Sequence, residues 1–397
     1  MSEKRKLIVF IGGSEDHIAF IRASRSSGFA SAIFDLDDKC VSRKEADIFF
    51  KISTHDFDGI VIKLLELTSE YDISGVMTYS SSPRAILNAS KLSEYFKTPS
   101  YSVESASMAI DKSLMKQAFL SSNVPTAKAK ITHSIEEAIE FFENNHQQAV
   151  IMKPSSGASG SSGIFSTTSA NEILKNYDQV ASYSIDSNVI IETFVDGDEY
   201  SIDGIMTGNK PIILSVCKKH NLGKAGNFIM SGFTSLASSS SVDDKALLDR
   251  LKNASIQAAQ ALKINDSLFS VDIIASRGEV NVVECGILLD CKIDRLLAFM
   301  QINIYEMMIS LISGQSISRF DSNIDSRISL NFIFANKDGY FQVNQDAVNK
   351  FKGEVFWNKS PGSFVSKPKS ISDILGWTIS EEESKPQKEL YFLKESV

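Results

Sequence analysis

Val150-Ile-Met-Lys-Pro-Ser-Ser-Gly-Ala-Ser-Gly-Ser-Ser-Gly-Ile164 carries an apolar run into a lysine and a proline, then opens into a loop of glycine, serine and alanine. Glycine tolerates backbone angles that other residues resist, so such a loop can turn several N–H groups toward one anion. Lys153 adds a fixed positive charge at the strand end. The stretch lacks the Gly-Lys-Ser/Thr ending of a Walker loop and the Gly-x-Gly-x-x-Gly spacing of dinucleotide folds. Loops of this composition also serve as plain flexible connectors. Here strand-like runs flank it, Gln148–Met152 and Gly163–Ser166, which makes it a hairpin loop over a site and not a linker between domains.

Composition narrows what such a site can serve. A chain of 397 residues can bury a large core in about two to four subdomains. Hydrophobic residues at 43% and charged residues at 23% place it among soluble globular proteins. A net charge of −8 argues against a surface built for nucleic acid or anionic membrane, so a phosphate site has to be a local basic pocket. Cys40, Cys217, Cys285 and Cys291 show no Cys-x-x-Cys spacing and no histidine clustering. They suggest neither zinc nor a disulfide framework and fit a reducing cytoplasm. The run Leu7–Ile11 is too short for a signal-peptide core, and no segment reaches membrane-spanning length.

Along the chain, Leu7–Ile11, Gly12-Gly13-Ser14, a helical His17–Ser27 and a strand Ala30–Asp35 make a β-turn-α-β opening. That is the signature of a parallel sheet covered by helices. Strands over Phe49–Ile52 and Gly75–Thr78 and helices over Gly59–Tyr71 and Arg84–Tyr95 continue it to about residue 105. Gly12-Gly13 suits the tight turn that a β-α junction needs, and could also line a pocket at the strand end. Next come a helix over Ile110–Leu120, a strand Lys128–Ile131, a helix Ser134–Asn145 and the strand before the Gly/Ser loop. Val189–Phe194, Tyr200–Thr207 and Lys210–Cys217 read as strands, with Gly208-Asn209 as a hairpin turn. Lys218–Ser235 reads as a polar, glycine-bearing loop. A helix Asp243–Leu262, a hairpin of Leu268–Ala275 with Val280–Glu284, and a helix Arg295–Gly314 precede a mixed tail.

Four features bear on chemistry. Lys153 and its loop are the first. The second is Ile190-Ile-Glu-Thr-Phe-Val-Asp-Gly-Asp-Glu-Tyr200, where a strand runs into a connector whose backbone could pair with an adenine edge. Glu192 could accept from the adenine amino group and Glu199 from ribose hydroxyls, although acidic residues around a turn are commonly just solvated. The third is Asp272 and Glu284, set between apolar neighbours on paired strands. A buried carboxylate needs a partner, and two on adjacent strands could share Mg²⁺ or belong to salt bridges. The fourth is Lys112, a second positive charge at a helix start.

In this order the pieces resemble the ATP-grasp superfamily, specifically the carboxylate–amine ligase branch related to carbamoyl-phosphate synthetase and the amino-acid ligases. The resemblance runs over roughly residues 5–315: Ile11-Gly-Gly, Phe34-Asp35, Ala46-Asp47, Asp111-Lys112, Val124-Pro125, Met152-Lys153-Pro154, the Glu192…Glu199 hinge, and Asp272 with Glu284. It implies an open parallel α/β domain over 1–105 and a two-lobed ATP-grasp domain over 106–315, with a small mobile lobe at about 128–193. A subdomain over 316–397 would pack on that core, giving a chain of mixed α/β and α+β class. Lys112 and Lys153 would hold ATP phosphates beneath Ser159, Gly160, Ser161 and Ser162 of the closing loop. Glu192, Phe194 and Val195 would hold adenine, Glu199 the ribose, and Asp272 and Glu284 Mg²⁺ or Mn²⁺. The implied reaction activates a small carboxylic acid as an acyl phosphate and joins it to an amine. In such ligases the segment at Lys218–Ser235 often shapes the acceptor site.

One strand departs from the family. Where Glu-x-Asn-Pro-Arg is usual, this chain has Glu284-Cys285-Gly286-Ile287-Leu288, and Asp272 stands where glutamate is usual. Either Lys292 or Arg295 reaches in from the following segment as a catalytic cation, or the protein binds nucleotide without ligating. A phosphotransferase that stops at the phosphorylated product is a third alternative. The sequence leaves oligomeric state open, with a homodimer as the base-rate expectation. Lys153→Ala is expected to weaken ATP binding and to leave folding intact, because the side chain would face the cleft; unchanged affinity in a folded variant, measured by calorimetry, would remove Lys153 from the grip.

Overall fold

The computed structural model describes residues 4–156, 163–222, 229–236, 242–317, 327–381 and 389–394. Strands β1 (Arg5–Ile11), β2 (Ala30–Asp35), β3 (Ile48–Lys51) and β4 (Tyr71–Met77) form a parallel sheet in the order β3-β2-β1-β4. Strand β1 is apolar without alternation because it is buried on both faces. Leu7, Val9 and Ile11 enter one core with Ile60, Leu64 and Leu92, from the helices α2 (Phe57–Leu67) and α3 (Pro83–Phe96). Ile8 and Phe10 point the other way, into a core shared with α1 (Ile18–Ser26) and with elements from much later in the chain. Tyr71, expected to end a helix, instead begins β4.

The β1–α1 turn requires its glycines. Gly12 has φ +114°, and a Cβ on Gly13 would lie 2.5 Å from Cys40 Sγ. The Gly12 N–H donates to Phe34 O and the Gly13 N–H to Asp35 Oδ2.

Ile110–Leu120 is not one helix. It breaks at Asp111 into α4 (Val103–Ile110) and α5 (Lys112–Ser121), because the Asp111 carboxylate accepts the Ser113 and Leu114 N–H groups and caps α5. The small lobe follows, with β5 (Ala129–Thr132), α6 (Ile135–Asn144), β6 (Val150–Pro154), β7 (Phe165–Thr167), α7 (Ala170–Ala181) and β8 (Val189–Thr193). Its sheet runs β5-β8-β6-β7 over a separate core that includes Phe142, Met152, Ile173 and Ile191. The hairpin expected around the Gly/Ser loop is β6–β7, with Val150 opposite Thr167 and Met152 opposite Phe165.

An eight-stranded sheet forms the floor. Its strands are β9 (Asp198–Thr207), β10 (Lys210–Asn221), β11 (Met230–Ser235), β12 (Ser267–Ser276), β13 (Glu279–Gly286), β14 (Ser329–Ile333), β16 (Glu354–Trp357) and β18 (Gly376–Ser380), in the order β13-β12-β9-β10-β11-β14-β18-β16. A small sheet, β17-β15-β19, is built from Phe364–Val365, Gly339–Val343 and Tyr391–Lys394. The helix α8 (Val242–Ala261) covers β12 and β13. The segment expected as the loop Lys218–Ser235 is largely strand: Lys218–Asn221 extends β10, and Met230–Ser235 is β11. Residues 295–314 form two helices, α9 (Ile293–Phe299) and α10 (Ile304–Ile312), bent by 111°. Asn303 caps the second by accepting the Glu306 N–H. No single helix among the described residues is long and apolar enough to cross a membrane.

His17 is sealed in the β1–α1 turn. Its Nε2 accepts the Tyr79 N–H at 3.1 Å, so Nδ1 carries the proton and meets Ser14 Oγ at 2.9 Å. Burial pulls the ring down to about 4, against the opposing charges of Asp16 and Asp35. As the pH falls from about 6.5 toward 4, the unfolded chain takes up a proton that the native ring refuses. The stabilisation is therefore present above pH 6.5 and lost below it. Relative to His17→Gln, which keeps an acceptor for Tyr79, the wild type should lose about 3 kcal/mol between pH 7 and pH 4. Urea unfolding at both pH values checks this; a constant difference would show that the native ring protonates normally.

Candidate functional site

The small lobe, α5 and the floor meet around a buried carboxylate. Glu192, near the end of β8, pairs with Lys153 of β6 at 2.9 Å and with Lys116 of α5 at 3.0 Å. All three side chains are under 10% exposed. Burial lifts the Glu192 carboxyl, but Lys153 and then Lys116 outweigh it and hold it below the ordinary value. Burial also lowers the Lys116 ammonium, with Glu192 opposing. Lys116 donates in addition to Thr126 Oγ1 at 2.6 Å, and Thr126 donates to Val282 O on β13. Both Glu192 oxygens are thus engaged by ammonium groups, and the side chain is not left to accept from a base as expected. Lys153 is likewise buried on Glu192 instead of facing an open cleft, so its removal disturbs packing as well as charge.

Lys112 stands at the mouth of the same region. Its N–H donates to Ser155 O at 3.0 Å, and Asp111 bridges to Ser156, which ties the start of α5 to the end of β6. The Lys112 ammonium lies 3.1 Å from Glu284 Oε1 on β13. Where the Gly/Ser loop begins, Ser155, Ser156 and Ser184 all hydrogen-bond to Asp186, holding the Asp186 carboxyl well below the usual range against its burial. Ser159, Gly160, Ser161 and Ser162 lie outside the described residues. In the connector after β8, the Phe194 N–H is taken by Ala149 O at 2.8 Å; Phe194 and Val195 are half-buried.

The floor contributes a second charged cluster, centred on a residue the sequence assigned to a loop. Lys219 of β10 is 8% exposed and contacts Asp272 at 2.9 Å, Asp290 at 3.0 Å and Glu199 at 3.1 Å. Burial lowers its ammonium, but the three carboxylates, Asp272 first, hold it well above the ordinary lysine value. Burial pushes the Asp272 carboxyl up to about 8, with Lys219 opposing and Asp290 and Glu199 adding. Beneath them Asp203 is fully buried among Ser201, Ser215 and Ser270, and burial raises it to about 6.

Asp272 and Glu284 are cross-strand partners in the β12–β13 hairpin, as expected. Each is nonetheless held by a lysine, Asp272 by Lys219 and Glu284 by Lys112. Among the described residues no three His, Cys, Asp or Glu side chains gather as a metal cage. Two carboxylates still fit a single Mg²⁺, which usually takes one or two carboxylates together with substrate phosphates and water. The proposed cations Lys292 and Arg295 do not reach this cluster through their ion pairs. Lys292 lies 3.8 Å from Asp16 and Arg295 3.4 Å from Asp294, which also accepts the Tyr305 hydroxyl at 2.6 Å. Sequence reasoning missed Lys219, Lys116, Asp290 and Asp203. Residues 212–217 are apolar except for Ser215, which marks a strand but does not show that it continues through Lys218 and Lys219 to Asn221.

A parallel α/β domain, an antiparallel small lobe and a large antiparallel floor, with lysines and carboxylates meeting between them, define the ATP-grasp fold. Residues 110–265 match the sequence model of the phosphoribosylglycinamide synthetase ATP-grasp (A) domain. The bifunctional purine biosynthetic protein ADE5,7 of Saccharomyces cerevisiae is 28% identical over 128 residues, which span 30% of this chain and 15% of that protein. The solved structure of L-amino acid ligase from Bacillus licheniformis superposes with a TM-score of 0.76 at 15% identity, covering 96% of this chain and 94% of that one. Phosphoribosylglycinamide synthetase from Anaerococcus prevotii gives a TM-score of 0.73 at 18% identity, covering 96% and 95%. The biotin carboxylase domain of Hydrogenobacter thermophilus 2-oxoglutarate carboxylase, crystallised with MgADP, ADP and bicarbonate, gives 0.72 at 14%, covering 95% and 86%. Likeness at these identities establishes the shared fold.

Breaking a buried ion pair from one side typically costs about 3–5 kcal/mol. Lys116→Met should lower stability by an amount in that range, read from the urea midpoint. An unchanged midpoint would mean that Lys153 alone suffices for Glu192.

Proposed function

We propose that this chain is an ATP-dependent ligase that activates a small carboxylic acid and joins it to an amine, releasing ADP and phosphate. One observation carries the proposal. Lys112, tied to the end of β6 where Lys153 stands, lies 3.1 Å from Glu284, so cations suited to phosphates and carboxylates suited to Mg²⁺ share one mouth between the lobes. The family match over residues 110–265 supports a nucleotide there. Lys112 and Lys153 would hold the phosphates, the backbone at Phe194 and Val195 the adenine, and Glu199 the ribose. Glu192 would position Lys153 and Lys116 and not touch the base. Asp272 and Glu284 would hold Mg²⁺, which supplies positive charge against the phosphates when bound; Mn²⁺ suits the same oxygen donors.

In this reaction the acid's oxygen attacks the γ-phosphorus and ADP leaves. An amine then adds to the acyl carbon, loses a proton, and expels phosphate. Lysine ammonium groups fixed before the reaction stabilise the charge that develops on the transferring phosphoryl group. The loop over 157–162 would exclude water from the activated acid, a role that also suits the serine and aspartate anchor at its stem. The four cysteines are free, which supports a reducing compartment such as the cytoplasm.

Release of ADP from the full chain with MgATP, across a panel of small acids and amines, tests this function. At least one acid should raise ADP release, and hydroxylamine should trap that acid as a hydroxamate. Nucleotide binding without stimulation by any acid would sink the ligase and leave a binding protein; a stable phosphorylated product without hydroxamate would indicate a phosphotransferase.

A further inference from the structure

The floor of the site carries more negative charge than its lysines neutralise, and one ammonium is fixed where a cation would otherwise go. Glu199, Asp272 and Asp290 come from β9, β12 and the segment after β13, and all three converge on Lys219 at 2.9–3.1 Å. An ammonium has three N–H donors, so three carboxylate contacts saturate it. Its side chain is buried, which keeps it from swinging into solvent.

The other side of the cluster lacks a donor. Gly286 lies two residues beyond Glu284 on β13 and therefore on the same face, where it adds no oxygen ligand. Steric crowding does not explain this: a Cβ built on Gly286 would meet nothing nearer than Leu288 O at 3.8 Å. The described carboxylates near the nucleotide mouth are then Glu284, Asp272, Asp290 and Glu199; Lys112, 23% exposed, holds the first, and the buried Lys219 holds the other three. A second divalent ion would have to share those carboxylates with the ammonium at close range, where like charges repel.

We propose that this site takes one divalent cation with its nucleotide, held by Asp272 and Glu284, and that Lys219 permanently carries the positive charge a second metal would bring. This rests on the nucleotide-binding part of the proposed function and adds a metal count and a role for Lys219. Of two single changes, only the loss of the Lys219 charge should open room for a second ion. Supplying an oxygen donor at Gly286 should not.

Mn²⁺ titration of the full chain at saturating ADP, with free ion followed by electron paramagnetic resonance, counts the ions directly. The wild type should bind one Mn²⁺ per chain, and Gly286→Asn should also bind one. Two ions in the wild type overturn the proposal, as does none with ADP bound. Two ions in Gly286→Asn also overturn it, because they would place the limit in the missing donor. Lys219→Met, where it folds, should bind two. Gly286→Asn keeps every ion pair, so its count decides the matter even where Lys219→Met does not fold. ADP release in the acid panel is scored separately. One ion without acid-stimulated release retains the metal count and removes the ligase; two ions with release do the reverse. A chain that binds no ADP loses both.

Discussion

A carboxylate cannot stay ionised in a protein interior without partners, and Glu192 is placed where that constraint organises three elements at once. It sits on a β-strand of the small lobe with its side chain 6% exposed, and its two oxygens draw Lys153 from the neighbouring strand and Lys116 from the preceding helix. Two ammonium groups on one carboxylate leave a net positive charge where the small lobe meets α5. Lys116 extends the chain of contacts through Thr126 to the main-chain carbonyl of Val282 on the floor. The small lobe, the helix and the β12–β13 hairpin are therefore registered against each other by one polar network, not by apolar contact alone. Partly satisfied, such a network would destabilise the fold; satisfied, it fixes where Lys153 and Lys116 stand.

The opposite cluster solves the converse problem. Glu199, Asp272 and Asp290 outnumber their one cation, Lys219; burial first, and then the charges of Asp290 and Glu199, push the Asp272 carboxyl up to about 8 against Lys219. The small-lobe side is thus electron-poor and the floor electron-rich, with Lys112 and Glu284 joined between them. A polyanionic nucleotide and a divalent cation are the pair of ligands that such a division suits, because each finds its counter-charge on a different wall. The same division explains why the −8 net charge of the chain does not argue against phosphate binding.

Much of this was legible in the chain, and what was not has definite causes. Leu7–Ile11 announced a strand buried on both faces because an apolar run without alternation has few other uses. Lys153 with its loop, and Asp272 opposite Glu284, were placed correctly on hairpins by turn chemistry and spacing. Helix periodicity could not reveal the breaks at Asp111 and Asn303, because each depends on a side chain capping the next helix and both residues sit within otherwise periodic runs. Lys219 was invisible for a different reason. Lys218-Lys219-His220 has the composition of a loop, and only the arrival of three carboxylates from distant segments makes a buried lysine affordable in β10. The role of Glu192 was inverted on similar grounds, since its two lysines lie 39 and 76 residues away along the chain.

The departures at Gly286 and Leu288 follow from where those residues sit. Gly286 faces open space, so a side chain there is sterically allowed and its absence bears on chemistry alone. Leu288 is different: it lines a recess between the N-terminal sheet and the floor, shared with Ile287, Met77, Met308 and Ile312 and with Asp266. Asp266 already accepts the Gly208 N–H, and the apolar members of that lining suit leucine. A cation near that hairpin has to be a residue whose counter-charges are already built. Lys219 is such a residue, and it is held on the carboxylate wall instead of on the strand where the family pattern places its arginine. Lys219 stands near the end of β10, separated from β13 by β9 and β12 in the sheet.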